Sequence, residues 1–212
     1  MAAQSTLKNM VLCLTLVCLF CAAVLGGAYA LTYEPIQDAS RKALEASINV
    51  VLPEGGSLSE AQSIELGGQS YEYYESVVDG TTAAYAVKST AIGFGGPLTV
   101  MVGVLPDGSV YNTSVLVCNE TPGLGAKCQE SESHFRAQFR GLKADGELKV
   151  TKDGGSIDAI TASTITSRAF TLAINNAVNV VKSLCGDAAA ADAVSGASAA
   201  QGHKTEEGQS NE

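Results

Sequence analysis

The chain has 212 residues, 22 of them acidic and 13 basic, for a net charge of −9. No Lys/Arg-rich stripe interrupts that acidic balance, which excludes a nucleic-acid-binding surface. With an apolar leader and a polar tail set aside, about 150 residues remain, enough for one well-buried core.

Residues 10–30 contain no charged side chain, and about 20 apolar residues at about 1.5 Å each reach across the hydrocarbon core of a bilayer. Lys8 precedes the run and the next basic residues are Arg41 and Lys42. That pattern keeps the short N-terminus, residues 1–9, cytoplasmic. Ala28-Tyr-Ala30 also has the small-x-small form of a cleavage site, so a retained anchor and a removed leader both stand on these residues alone. Either way the rest of the chain is exported.

Residues 31–70 are expected to be helix and linker. Ile36, Ala39, Ala43, Leu44, Ile48, Val51 and Leu52 have the spacing of a one-sided helix that opens at Pro35 and stops before Pro53. Residues 53–70 are rich in Gly and Ser and read as linker. From residue 71 the pattern changes to strands. Residues 71–78 and 81–88 are rich in aromatic and β-branched side chains, with the hairpin signal Asp79-Gly80 between them. Leu98, Val100, Val102 and Val104 then alternate, and Pro106-Asp-Gly108 turns into a strand over 110–117. Four such segments predict an antiparallel sheet.

A Pro-Gly loop follows, then a short helix over 131–140 with Phe135 and Phe139 on one side, closed by Gly141. That Phe spacing fits a core better than a flavin sandwich. Residues 148–151 and 157–160 read as short strands separated by Asp153-Gly154-Gly155. Next comes the hydroxyl-rich run Asp-Ala-Ile-Thr-Ala-Ser-Thr-Ile-Thr-Ser, residues 158–167. It leads into a helix with Phe170, Ile174, Ala177, Val178, Val181 and Leu184 along one face and Gly186 as its stop. Residues 187–212 form an Ala/Ser/Gly/Glu tail expected to be disordered. The fold class expected is α+β, a curved antiparallel sheet with packed helices on one side, preceded by one transmembrane helix.

The candidates for chemistry are few. Cys13, Cys18 and Cys21 lie in the apolar run and behave as small hydrophobes. No Cys-x-x-Cys pair occurs outside it, so neither a zinc nor an iron–sulfur site is expected, and no metal ligand is assigned. Cys118 and Cys128 flank the Pro-Gly loop, and an oxidising compartment would allow a disulfide between them. Cys185, an odd third thiol, and an anaerobic host would argue for free thiols, so both states stay open. His134 is expected on a helix surface and His203 in the tail. No catalytic acid or base is assigned.

The hydroxyl-rich run has a physical use beyond helix capping, the ordinary role of Ser and Thr at such a place. A helix start leaves backbone N–H groups unpaired and carries partial positive charge, which favours a phosphate. Thr161, Ala162 and Ser163 are small and leave the Thr164 hydroxyl open to a modifying enzyme.

The order Asp, two apolar residues, Ser/Thr, two small residues, acceptor Thr resembles the flavin-attachment motif of FMN-binding subunits in membrane redox pumps. The loop Cys118-Asn-Glu-Thr-Pro-Gly-Leu-Gly-Ala-Lys127 resembles a second block of that family through its Glu-Thr-Pro-Gly-Leu-Gly core. Gly93-Phe-Gly-Gly-Pro97 and the strand after it resemble a third. Together they cover roughly residues 31–185 and are similar to the G subunit of the Rnf electron-transport complex. The C subunit of the sodium-translocating NADH:quinone reductase shares the domain and motif. Shorter length favours the Rnf reading. Three positions depart from the pattern: Ala162 stands where a glycine is usual, Ser163 where an alanine is, and Cys118 where a histidine is common.

The resemblance implies an electron-carrier subunit of a membrane-bound ion-translocating ferredoxin:NAD oxidoreductase rather than a stand-alone enzyme. FMN would be joined through its phosphate to Thr164 as a phosphodiester, with Ser163 as second candidate. Thr161 and Asp158 belong to the same motif, and Glu120, Thr121, Gly123, Leu124 and Gly125 form the loop against the flavin. A carboxylate such as Glu120 would lower the flavin potential by like-charge repulsion or serve structurally, and both roles stay open. The implied partners are the other subunits, the membrane and a flavin transferase. The family keeps its N-terminal helix, which implies a single-pass membrane protein with its FMN-binding domain, residues 71–186, outside the cytoplasm. The opposing hypothesis is an exported interaction domain without flavin, in which the motif only caps a helix.

Overall fold

A computed structural model describes residues 7–144 and 146–186. The tail expected to be disordered lies outside the described residues. The elements are α1 (Leu7–Val51), β1 (Ser57–Leu58), β2 (Gln62–Leu66), β3 (Gln69–Val78), β4 (Thr81–Ile92), β5 (Pro97–Val104), β6 (Val110–Cys118), α2 (His134–Ala137) and α3 (Thr164–Leu184). Short 3-10 turns occupy Gly125–Gln129 and Thr151–Asp153. The chain divides into two compact units between Leu44 and Glu45.

In the first unit every side chain from Leu7 to Ala43 is exposed. For the uncharged stretch 10–30 water opposes that exposure and a bilayer favours it, and α1 is long and apolar enough to cross one. Two of its hydroxyls bond within the helix: Thr15 and Thr32 donate to the carbonyls of Val11 and Ala28 at 2.9 and 2.8 Å. Self-satisfied polar groups are what an apolar surround demands. The one-sided helix expected to open at Pro35 does not start there, and α1 runs through that residue. Proline removes one N–H donor and crowds one carbonyl. No second breaker stands between the apolar run and the amphipathic one, so the helix continues to Val51.

In the second unit, β1 and β2 both pair with β3 along one edge, and the sheet continues β3-β4-β5-β6, all antiparallel. Asp79 and Gly80 both take positive φ, 51° and 78°, as a two-residue hairpin loop requires. Gly67 and Gly68, at 58° and 76°, do the same between β2 and β3. Residues 57–66 were expected to be linker. β2 offers only Ile64 and Leu66 as apolar residues, too little alternation to stand out from a polar stretch. Bulges at Ser76/Val77, Thr99/Val100 and Gly103/Val104 bend the sheet.

The core lies on the face carrying Val87, Leu98, Val100, Val102 and Val104, against Phe170, Ile174, Ala177, Val178 and Val181 of α3. Phe135, Phe139 and Phe170 meet there with ring centroids 5.2–5.4 Å apart. Helices were expected on one side only, yet the opposite face is covered as well. Ser47, Ile48, Val51 and Leu52 are buried, the Ser114 hydroxyl bonds that of Ser47 at 3.1 Å, and Asn112 Nδ2 donates to the Val50 carbonyl at 3.0 Å. Gly103 makes the approach possible, because a Cβ there would collide with the Val51 carbonyl.

Between β6 and α3 the structure is less regular than expected. The helix over 131–140 shortens to the single turn α2, whose N-cap Ser133 accepts from the Arg136 N–H at 3.3 Å. His134 is exposed, as expected. The strands over 148–151 and 157–160 reduce to one parallel bridge, Val150 with Ile157. Asn175 of α3 explains this, since its amide takes both the N–H and the carbonyl of Leu148, at 2.9 and 2.8 Å, which a strand partner would otherwise pair.

α3 begins from a turn closed by the Ser163 N–H donating to the Ile160 carbonyl at 3.0 Å. Ala162, its third residue, has φ +62°, the left-handed region that costs an L-residue about 1–2 kcal/mol. Ala162→Gly is expected to keep the fold and raise stability by up to about 1 kcal/mol, since glycine's greater unfolded-state freedom offsets part of the relieved strain. Ala162→Val should lower it by about 1–3 kcal/mol. Thermal denaturation of the two variants checks the sign, and an unstable glycine variant would contradict the strain.

Candidate functional site

Three loops distant in sequence meet at the N-terminus of α3. They enclose a cleft of about 400 Å³ lined by Phe94, Glu120, Thr121, Leu124, Gly125, Ala162, Ser163, Thr164, Ile165 and Thr166. Each resembling block contributes: residues 93–97 supply Phe94, the Pro-Gly loop supplies Glu120 to Gly125, and the hydroxyl-rich run supplies Ala162 to Thr166.

The joint between the first two blocks is Glu120. Its side chain is buried, and Oε1 accepts the Phe94 N–H at 2.8 Å. The glycines around it are the space this carboxylate needs. A Cβ on Gly93 would strike Glu120 Oε1, and one on Gly95 would strike the Asn119 backbone. A Cβ on Gly125 would lie 2.8 Å from Glu120 Oε2 and 2.7 Å from the Thr166 hydroxyl oxygen. Glu120 thus ties the β4–β5 loop to the Pro-Gly loop, and Gly125 lets both pack against the first turn of α3.

The third block is held by Ser167. Its buried hydroxyl accepts the Ile160 N–H and donates to the Ser163 carbonyl, both at 2.9 Å. Ser163 is the N-cap of α3 but makes no side-chain capping bond, so the helix opens onto the cleft without the usual oxygen over its first amides. Thr164 is half-buried. Its hydroxyl oxygen accepts a bond from the Lys152 ammonium at 2.8 Å. Lys152 sits on the 3-10 turn Thr151–Asp153, which Arg168 of α3 binds through both oxygens of Asp153, at 2.7 and 2.6 Å. That bond holds the Asp153 carboxyl below the usual carboxylate range and pushes the Arg168 guanidinium up, so the pair stays ionised at neutral pH.

Of the expected site residues, Thr164, Ser163, Glu120, Thr121, Leu124 and Gly125 line the cleft, while Gly123, Thr161 and Asp158 do not. Gly123 supplies the positive φ of 77° that turns the loop. Thr161 and Asp158 are exposed, and the Asp158 backbone is held by the Gln138 amide, which accepts its N–H at 2.7 Å and donates to its carbonyl at 3.1 Å. The cleft-lining residues not assigned from sequence are Phe94, Ala162, Ile165 and Thr166, together with Lys152 beside it. Phe94 was visible as the single aromatic in a glycine run. Lys152 gave no signal, because only the fold brings residue 152 against residue 164.

The apolar rim is exposed, with Phe94 at 71%, Leu124 at 43% and Ile165 at 50% of full accessibility. Hydroxyl and carboxylate groups and apolar side chains line it together, the usual make-up of a small-molecule site. Among the described residues no cluster of three or more His, Cys, Asp or Glu could hold a metal.

Residues 93–179 match the family of FMN-binding domains. The chain is 32% identical over 176 residues to the G subunit of the proton-translocating ferredoxin:NAD(+) oxidoreductase complex of Clostridium ljungdahlii, covering 82% of this chain and 90% of that one. It is 36% identical over 166 residues to the G subunit of the ion-translocating oxidoreductase complex of Vibrio cholerae, covering 72% and 79%. Among solved structures, the C subunit of the Na(+)-translocating NADH-quinone reductase of Parabacteroides distasonis superposes with a TM-score of 0.52 at 22% identity, over 73% of this chain and 92% of that one. That likeness speaks for the fold, a curled antiparallel sheet with helices. With more than 30% identity spread over most of both chains, this protein belongs to the G-subunit family of ion-translocating oxidoreductase complexes.

Proposed function

We propose that this chain is the electron-carrier subunit of a membrane-bound ion-translocating ferredoxin:NAD oxidoreductase, with FMN joined through its phosphate to the Thr164 hydroxyl. The observation that carries this reading is the place of Thr164. It is the first residue of a 21-residue helix without a side-chain cap, it lines the cleft, and its oxygen lies 2.8 Å from an ammonium group.

The residues present fit FMN. Lys152 and the first amides of α3 form a donor set suited to a phosphate. Phe94, Leu124 and Ile165 offer apolar surface to a flat ring, and the cleft of about 400 Å³ falls among ordinary cofactor sites. Bound FMN supplies reversible electron uptake at its isoalloxazine ring. Thr164 is the anchor, and an ester there leaves the phosphate one titratable charge fewer, which eases its position against apolar walls. Lys152 donates to the Thr164 oxygen, so the hydroxyl proton stays free to leave when the ester forms. Glu120 holds the Phe94 loop in place.

In this reading residues 10–30 anchor the protein in the membrane and residues 71–186 work on the extracytoplasmic side, where a covalent bond prevents loss of cofactor. A flavin transferase modifies Thr164 during maturation. The lasting partners are the other subunits of the complex.

Protein from a host with the transferase, boiled in detergent and run on a gel, is expected to fluoresce as flavin under ultraviolet light. Thr164→Val should give a dark band while Ser163→Ala stays bright, and the reverse would move the bond to Ser163. Lys152→Gln is expected to slow attachment by about three- to tenfold, the effect of one exposed charge-assisted hydrogen bond. The time course of in-gel fluorescence with purified transferase measures it, and an unchanged rate would remove Lys152 from the site.

A further inference from the structure

Two thiols face each other at the base of the Pro-Gly loop. Cys118, the last residue of β6, lies with its sulfur 3.8 Å from that of Cys128 on the 3-10 turn Gly125–Gln129. Cys118 is half-buried, Cys128 has no exposure, and both are free. Neighbouring bonds hold the pair in register. Gln129 Nε2 donates to the Cys118 carbonyl at 3.3 Å, and the buried Arg136 donates to the Gln129 carbonyl at 3.1 Å. A disulfide has its sulfurs about 2.0 Å apart, so closure needs an approach of about 2 Å within side chains that already meet.

We propose that Cys118 and Cys128 are a site of reversible cross-linking, a disulfide that closes the loop of residues 119–127. The loop carries Glu120, Thr121, Leu124 and Gly125, four of the cleft's lining residues. The oxidant is a small-molecule or protein disulfide. The Cys118 sulfur attacks it as thiolate and expels one thiol, then Cys128 attacks the Cys118 sulfur and expels the second. Two S–H bonds are lost, one S–S bond forms, and the oxidant leaves as two thiols carrying the electrons and protons. Burial pushes the Cys128 thiol up to about 12, which makes the more exposed Cys118 the sulfur that reacts first. The cross-link does not depend on the flavin. Its consequence, a fixed cleft wall, rests on the proposed function.

The test uses the full-length protein equilibrated with glutathione and glutathione disulfide, trapped with iodoacetamide and digested with trypsin. Lys127 lies between the two cysteines, so cleavage separates them. The expected result is the peptide ending at Lys127 joined to the peptide 128–136, released on reduction. Recovery of both peptides alkylated across the whole titration, or Cys118 joined to glutathione or Cys185 instead, would overturn the site. Amide exchange at Leu124, Ala126 and Lys127 should slow by about tenfold on oxidation, and Cys118→Ser should remove the difference. Equal rates in both states would overturn the effect on the loop while leaving the flavin reading untouched.

Discussion

The hydroxyl of Ser167 bridges two backbone groups that would otherwise drift apart, the Ile160 N–H and the Ser163 carbonyl. It does so from a position with no solvent exposure, where low dielectric strengthens each bond and makes its loss costly. Ser167 rides on α3, and α3 is seated on the sheet by Phe170, Ile174, Val178 and Val181. The turn of residues 160–163 therefore inherits its place from helix–sheet packing. Thr164 is presented by a rigid element, and a site meant to hold one group in one orientation depends on such support.

Sheet and loops answer to the same constraint from the other side. β5 is buried on both faces, by α3 on one and by the end of α1 on the other, with Gly103 admitting the Val51 carbonyl. A strand held in this way fixes the loop before it, residues 93–96, and pairing with β6 fixes the loop after Cys118. Glu120 joins the two loops through the Phe94 N–H. The carboxylate therefore has a structural task, the second of the two roles open for it from sequence.

Much of this was legible in the residues. The four central strands, the Asp79-Gly80 hairpin and α3 follow from alternation, turn chemistry and a one-sided stripe, signals that operate within a few residues. The family resemblance pointed to blocks that meet in one cleft. What stayed hidden was non-local or weakly patterned. β2 has too few apolar residues to announce itself, although Gly67-Gly68 was a readable hairpin signal. Leu148 forms no strand because Asn175, 27 residues away, takes its backbone bonds. The second buried face showed only as the small and apolar Thr99, Met101 and Gly103 alternating with the valines. The departure at Ala162, read as a lost glycine, falls at a positive φ of 62°, so the backbone there keeps the shape that glycine would adopt with less strain.

The central claim is that Thr164 carries FMN through its phosphate, and peptide mass spectrometry of protein from its native host tests it most directly. Trypsin should release residues 153–168 as one peptide. The account predicts that this peptide is heavier by FMN less one water, with the added mass on Thr164 after fragmentation. Finding it wholly unmodified in authentic material, or modified on another residue, would contradict the account.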